Sequence, residues 1–142
     1  MTVSPVMQRL ASYIASAPKK RLPPTVAEKT KHHILDTIAA MISGARLPPG
    51  KQAISYARTR GGTKEACVVA TGIVTSAENA ALANGMLAHA DETDDSHAPS
   101  LTHPGCGIVP AALAMAEREQ ASGNAFLRSV ALGYDEIGRA HV

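Results

Sequence analysis

Ile34-Leu35-Asp36-Thr37-Ile38-Ala39-Ala40-Met41-Ile42 sets Ile34, Ile38 and Ile42 four residues apart, with Leu35, Ala39 and Met41 flanking them. A stripe at that spacing follows one face of an α-helix, so the segment predicts an amphipathic helix and not a strand. Upstream, Pro23-Pro24 sets a limit and Thr25 offers an N-terminal cap; downstream, Gly44 offers a stop. Further upstream, Ser4-Pro5 opens a short helix carrying Val6, Leu10, Tyr13 and Ile14, which ends at Pro18. On the other side, Leu47-Pro48-Pro49-Gly50 reads as a turn, 52–59 as a helix and Gly61-Gly62 as its end.

Ser76 caps an alanine-rich helix over 77–90, where Ala80, Ala81, Ala83, Asn84 and Gly85 let a neighbouring helix come close. Helices are also expected over 108–120 and from Asn124 onward, the latter carrying Leu127, Val130, Ala131, Tyr134 and Ile137. Only 66–71 reads as β, and one short strand cannot build a sheet core. The expected fold is therefore all-α, with at most one short β segment. The last helix runs through Gly138-Arg139-Ala140 to His141-Val142 without a terminating glycine or polar tail. On that ground residues 1–142 are expected to be an incomplete helical domain cut from a longer protein, with Val130, Tyr134 and Ile137 left exposed.

Composition narrows the function. The chain is 45% hydrophobic but only 3% aromatic and has no Trp, so its core must be aliphatic, which suits close helix packing. Fourteen basic against twelve acidic residues leave a net charge of +2, too balanced to drive binding to nucleic acid. Pro18-Lys19-Lys20-Arg21 reads as a solvated linker. Cys67 and Cys106 lack Cys-x-x-Cys spacing, and the first residues have no signal-peptide pattern, so a reducing cytoplasm is expected. The apolar run around Ile34–Ile42 is broken by Asp36 and Thr37 and is shorter than the roughly 18 residues a membrane span needs, so no membrane association is expected.

The chemistry concentrates in His89-Ala90-Asp91-Glu92-Thr93-Asp94-Asp95-Ser96-His97-Ala98-Pro99-Ser100-Leu101-Thr102-His103-Pro104-Gly105, with four carboxylates and three of the six histidines. Acidic groups just after a helix face its negative end, at a cost of about 0.3–1 kcal/mol each. Stability alone does not select them. One further helical turn would put His89, Glu92 and Ser96 on one face and Asp91, Asp94 and Asp95 on another. The bland alternative is a solvated loop whose Asp and Ser side chains cap the next turn. Asp91 with Asp95 resembles a magnesium-binding carboxylate pair, yet the run has neither an EF-hand pattern nor His-x-x-x-His, so no metal is assigned. A Ser96 nucleophile with His97 or His103 lacks a nucleophile elbow. His103, made rigid by Pro104-Gly105 and with Thr102 as a hydrogen-bonding neighbour, suits proton transfer near neutral pH.

Ala81-Leu82-Ala83-Asn84-Gly85, His89-Ala90, Asp94-Asp95-Ser96-His97, Ser100-Leu101-Thr102-His103-Pro104-Gly105 and Val109-Pro110-Ala111-Ala112-Leu113-Ala114 together resemble the MmgE/PrpD family. A looser likeness covers Ile34-Leu35-Asp36-Thr37-Ile38-Ala39 and 122–137. The family contains 2-methylcitrate dehydratase, cis-aconitate decarboxylase and an iminodisuccinate epimerase. The resemblance implies a large helical domain followed by an α+β lid that this chain lacks, a homodimer, and an active site between the two domains. It places Glu92 at the family's active-site aspartate, Ser96 at its threonine and His103 at its histidine. His103, Glu92 and Ser96 are thus the expected catalytic residues, with Thr102, His97 and Asp95 the expected substrate-binding ones.

Asp91-Glu92-Thr93 stands where the family has Leu-Asp-Phe, which lengthens the carboxylate, removes an aromatic ring and reshapes the pocket. The implied activity is that of a cofactor-free lyase on a small polycarboxylic acid, by proton abstraction and elimination, with 2-methylcitrate dehydratase the first expectation. The alternatives are a cis-aconitate decarboxylase-like or iminodisuccinate epimerase-like enzyme, or a non-catalytic truncated helical module. The family's later lysine, histidine and tyrosine site residues fall beyond Val142, so the chain by itself is expected to be inactive.

Overall fold

The computed structural model describes residues 3–140. Helix α1 (Pro5–Ser16) starts as expected: Ser4 Oγ accepts the Met7 N–H at 3.3 Å, and Pro5 takes the first position, where its missing N–H leaves nothing unpaired. A 3-10 turn at Ala17–Lys19 leads to α2 (Pro24–Gly44). Thr25 does not cap α2; Pro24 opens the helix one residue earlier and Pro23 holds the cap position. The expected turn at 47–50 is instead the start of α3 (Pro48–Arg60), because two prolines fit a first helical turn as well as they fit a bend. Gly61 and Gly62 end α3 at positive φ, 61° and 96°.

Where one β segment was expected there are two, β1 (Ala66–Cys67) and β2 (Val74–Thr75), paired antiparallel with Ala66 opposite Thr75 and Cys67 opposite Val74. Helix α4 (Ala77–Ala88) follows, and the Ser76 side chain forms no cap to it. The Ala77 N–H donates instead to Glu65 Oε2 at 3.0 Å. Helix α5 (Pro104–Arg118) begins four residues before the expected Ile108, again with a proline in its first turn. Pro110 lies inside it and leaves the Cys106 carbonyl without its i+4 donor; that oxygen rests against Gly85. Helix α6 (Gly123–Ala140) is capped by Ser122, whose Oγ accepts the Ala125 N–H at 3.3 Å, and not by Asn124. The expected run into His141-Val142 lies outside the described residues.

Helix α4 is the centre of the fold, packed against α2, α3 and α5. Its buried residues are Ala77, Ala80, Ala83, Asn84, Leu87 and Ala88. Asn84 is satisfied across the interface: its Oδ1 accepts the Val69 N–H at 2.8 Å and its Nδ2 donates to the Cys67 carbonyl at 3.0 Å, tying α4 to the hairpin. The face that α2 buries is Thr30, Thr37, Ala40, Met41 and Gly44, whereas Leu35 and Ile42 are exposed. Gly44 decides this rotation. A Cβ there would run into the Leu87 carbonyl oxygen, and one on Gly50 into the Gly44 carbonyl oxygen, so the small face of α2 turns inward and part of the isoleucine stripe turns out. The two buried threonines donate back into α2, Thr30 to the Val26 carbonyl at 2.7 Å and Thr37 to that of His33 at 2.8 Å.

The expected exposed face of α6 is also corrected: Val130 is fully buried, and Phe126, Tyr134 and Ile137 pack on the main core with Met41, Leu87, Ile108 and Val109. Because no relaxation of α2 short of a shift makes room at Gly44, Gly44→Ala is expected to lower the urea unfolding free energy by about 1–3 kcal/mol. Gly107, exposed on α5 with open space where a Cβ would stand, is the control. Gly107→Ala is expected to be neutral or to stabilise by up to about 1 kcal/mol.

Candidate active site

Helix α4 stops at Ala88, with His89 in the cap position, and Glu92 sits at φ 54°. A non-glycine residue there cannot continue a right-handed helix, so the expected shared face of His89, Glu92 and Ser96 does not form. The chain from 89 to 103 is a loop built on its own polar contacts. Ser43 on α2 donates to Asp91 Oδ2 at 2.6 Å, and the Thr93 hydroxyl donates to Asp91 Oδ1 at 2.7 Å. These bonds, Ser43 first, hold the Asp91 carboxyl below its usual range. At the far end the His97 N–H donates to the Thr102 carbonyl at 2.8 Å. There Ser100 Oγ lies 2.7 Å from His97 Nδ1 and 2.8 Å from Thr102 Oγ1.

The consecutive Asp94 and Asp95 carry most of the organisation. Asp95 Oδ1 accepts the Gly105 N–H at 2.8 Å, which places a carboxylate on the positive end of α5. Its Oδ2 accepts the Tyr134 hydroxyl at 2.7 Å and lies 3.4 Å from His33 Nδ1. The His33 and Tyr134 rings stack with centroids 4.3 Å apart. Burial pushes the Tyr134 hydroxyl well above its ordinary range, and the Asp95 bond adds to that. Burial also draws the His33 imidazole below its ordinary value, with Asp95 opposing.

The Asp94 side chain is wholly buried, its Oδ1 3.2 Å from His89 Nδ1 and 3.4 Å from His103 Nδ1. The second approach is electrostatic and not a hydrogen bond, since the His103 Nδ1 is a buried atom without a hydrogen-bond partner. The two imidazoles lie with centroids 5.0 Å apart, tilted by 57°. Below them, in the first turn of α5, the Cys106 thiol donates to the His103 carbonyl at 3.0 Å. Burial pushes that thiol up to about 11, and the Asp94 charge adds to the shift.

The fold thus joins His103 to Asp94, His89 and Cys106. Asp95, expected to touch substrate, is engaged with the Gly105 backbone and Tyr134. Thr102 pairs with Ser100 and not with the His103 ring, and His97 also turns to Ser100. Glu92 and Ser96 are exposed, and among the described residues no hydrogen bond or ion pair joins either to His103. Reading the sequence missed Asp94, Cys106, His33 and Tyr134 as site residues. The one available signal was a tyrosine hydroxyl set in the apolar stripe of the last helix, which needs a buried partner.

Fold and site together define a helical domain that presents a histidine–aspartate pair at the junction of a loop and a helix. The MmgE/PrpD N-terminal domain matches residues 8–140, and the chain belongs to the MmgE/PrpD family. It is similar to the cis-aconitate decarboxylase-like protein oryM of Aspergillus oryzae, 26% identical over 137 residues that cover 92% of this chain. The match takes in 28% of that protein's length, so this chain spans well under half of its relative. No solved structure matches the chain. Among the described residues, no helix is long and apolar enough to cross a membrane.

A histidine whose folded pKa is depressed favours the fold in its neutral form, so the contribution of His33 is fully present above its ordinary value of 6.5 and shrinks as the pH falls below it. The unfolding free energy is therefore expected to decline with acidification below 6.5, and His33→Gln to remove part of that slope. An unchanged slope in the variant would contradict the burial of this ring.

Proposed function

We propose that this chain forms one wall of the active site of a lyase acting on a small polycarboxylic acid, with His103 as the group that moves the proton. One observation carries the reading: the Nδ1 edge of His103 is buried toward the Asp94 carboxylate while about a third of the side chain, 34%, remains exposed. The exposed part of the side chain therefore lies away from Nδ1. A carboxylate behind one imidazole nitrogen orients the ring, which leaves the other nitrogen to exchange a proton with a substrate.

The reaction class follows from what such a group does beside a carboxylic acid. In a dehydration it removes a proton from the carbon next to a carboxylate while hydroxide leaves and is protonated to water; in a decarboxylation the electron pair left on carbon by the departing carbon dioxide takes a proton from the protonated imidazole. Glu92 and Ser96, exposed on the same loop, are assigned to orient the substrate, with Thr102 and His97 at its border. The cationic groups that would hold the substrate carboxylates, and an α+β lid, belong to further length of the protein, in a homodimer in the cytoplasm. Both cysteines are free thiols, which fits a reducing compartment.

Dehydration of a 2-methylcitrate-like acid is the first reading. Decarboxylation of a cis-aconitate-like acid is the second, favoured by the name that the Aspergillus oryzae relative carries. The test uses the longest natural protein containing this chain, assayed with 2-methylcitrate and with cis-aconitate, with carbon dioxide release followed separately from loss of water. Turnover of one acid is expected, with His103→Ala lowering kcat by about 10²–10⁴-fold. Undiminished kcat in the variant overturns the role of His103, and turnover of neither acid overturns the substrate class.

A further inference from the structure

We propose that the hollow between the basic linker after α1 and helix α6 is a binding site for a small organic anion carrying a phosphate group. The hollow has a volume of about 290 Å³ and is lined by residues of α1, the 3-10 turn, the start of α2 and α6. None of its lining residues is among those gathered around His103, Asp94 and Asp95. Lys20 and Arg21 are exposed, as a solvated linker would have them, yet the fold sets both beside Arg128, more than a hundred residues away in sequence.

Charge defines the hollow. Lys20, Arg21 and Arg128 line it against one carboxylate, Asp135. That carboxylate is already engaged, its Oδ2 accepting the Tyr13 hydroxyl at 2.6 Å. Glu28, which borders the adjoining hollow with Arg21 and Arg128, is taken by Lys31 at 2.7 Å. Among the described residues no carboxylate forms an ion pair with Lys20, Arg21 or Arg128. Arg128 is half-buried, and its Nε is a buried atom without a hydrogen-bond partner. A buried donor left unpaired on a charged group is costly, and an oxygen of a bound anion removes that cost.

The start of α2 adds to the same field. Pro23 and Val26 line the hollow, no side chain caps this end of the helix, and its first turn carries no acidic residue. The positive end of α2 therefore stands open beside the three cations. Arginine forks bind carboxylate and phosphate alike, but three cations and a helix end exceed what a single carboxylate neutralises and suit the dianion of a phosphate monoester. The rest of the wall, with Leu22, Val26, Ala131 and Leu132, is apolar, which favours an apolar body attached to the phosphate. The small volume limits that body to the size of a single ring.

The inference is independent of the proposed turnover, because binding is read without substrate. Phenyl phosphate, which has both a dianion and an apolar ring, is titrated into the chain as its sequence stands, with amide chemical shifts and calorimetry as the readouts. Saturable one-to-one binding is expected, with shifts at Val26 and Leu132, and inorganic phosphate is expected to bind about tenfold more weakly because it leaves the apolar wall uncovered. Arg128→Gln is expected to weaken phenyl phosphate binding by at least about tenfold. Lys51→Gln, which removes the same charge from an exposed position on α3, and His103→Ala are expected to leave it within about twofold. Circular dichroism of each variant checks the fold; if Arg128→Gln unfolds, Arg21→Gln on the exposed linker decides, with a loss in the same direction expected. No saturable binding of phenyl phosphate, an unchanged affinity in the deciding variant, or inorganic phosphate or citrate binding as tightly as phenyl phosphate overturns the proposal.

Discussion

The Asp95 carboxylate sits where three helices meet, accepting from the Gly105 N–H of α5 and the Tyr134 hydroxyl of α6 and facing His33 of α2. Few side chains in the molecule bind so many separate elements, and this one is short and mostly buried. Its negative charge is matched to the positive end of α5, which offsets the cost of burying it. There is no room for any other arrangement at Gly105, where a Cβ would crowd Asp95, Thr37 and Tyr134 together. With α5 anchored by its first turn, the residue in its cap position, His103, has its backbone placed by the same bond that places Cys106. Asp94, the preceding residue, is then committed to the other side, toward His89 and His103. Two neighbouring aspartates with different partners divide the work: one holds the scaffold, the other faces the chemistry.

Behind this junction, α4 provides the platform. Its buried face is mostly alanine, and glycine on α2 faces a backbone carbonyl on α4, so the helices approach by backbone and not through large side chains. That mode of packing explains how a chain with 3% aromatic residues and no Trp still builds a buried centre. It also sets the height at which α4 ends and releases the loop.

Much of the helical architecture was legible because apolar periodicity, prolines and glycines punctuate it. Three helix starts moved for one reason: a proline before a helix is compatible with both a turn and a first helical position, and at Pro24, Pro48 and Pro104 the helix won. The isoleucine stripe of α2 marked a helix correctly but not its buried face, since close packing rewards small size over hydrophobicity at Gly44. The hairpin was half visible; Val74–Thr75 is too short to show a period of its own and exists through its pairing with β1.

The site was legible as a segment and not as a geometry. Its density of His and Asp pointed to 89–103, and the family likeness pointed to His103. Only the fold shows that α4 has ended before Glu92, which takes a positive φ, and that Asp94 and Cys106 gather around the histidines. The partners of Asp95 come from α2, α5 and α6, and no local pattern links them.

Amide hydrogen exchange across the loop and the start of α5, compared between the parent chain and Asp95→Ala, tests this account most directly. The Gly105 amide is expected to be protected in the parent chain and to exchange freely in the variant, together with the flanking loop, while the α4 amides around Asn84 keep their protection. Equal protection of Gly105 in both proteins would contradict the account, because the carboxylate would then not be what holds the loop to the helices.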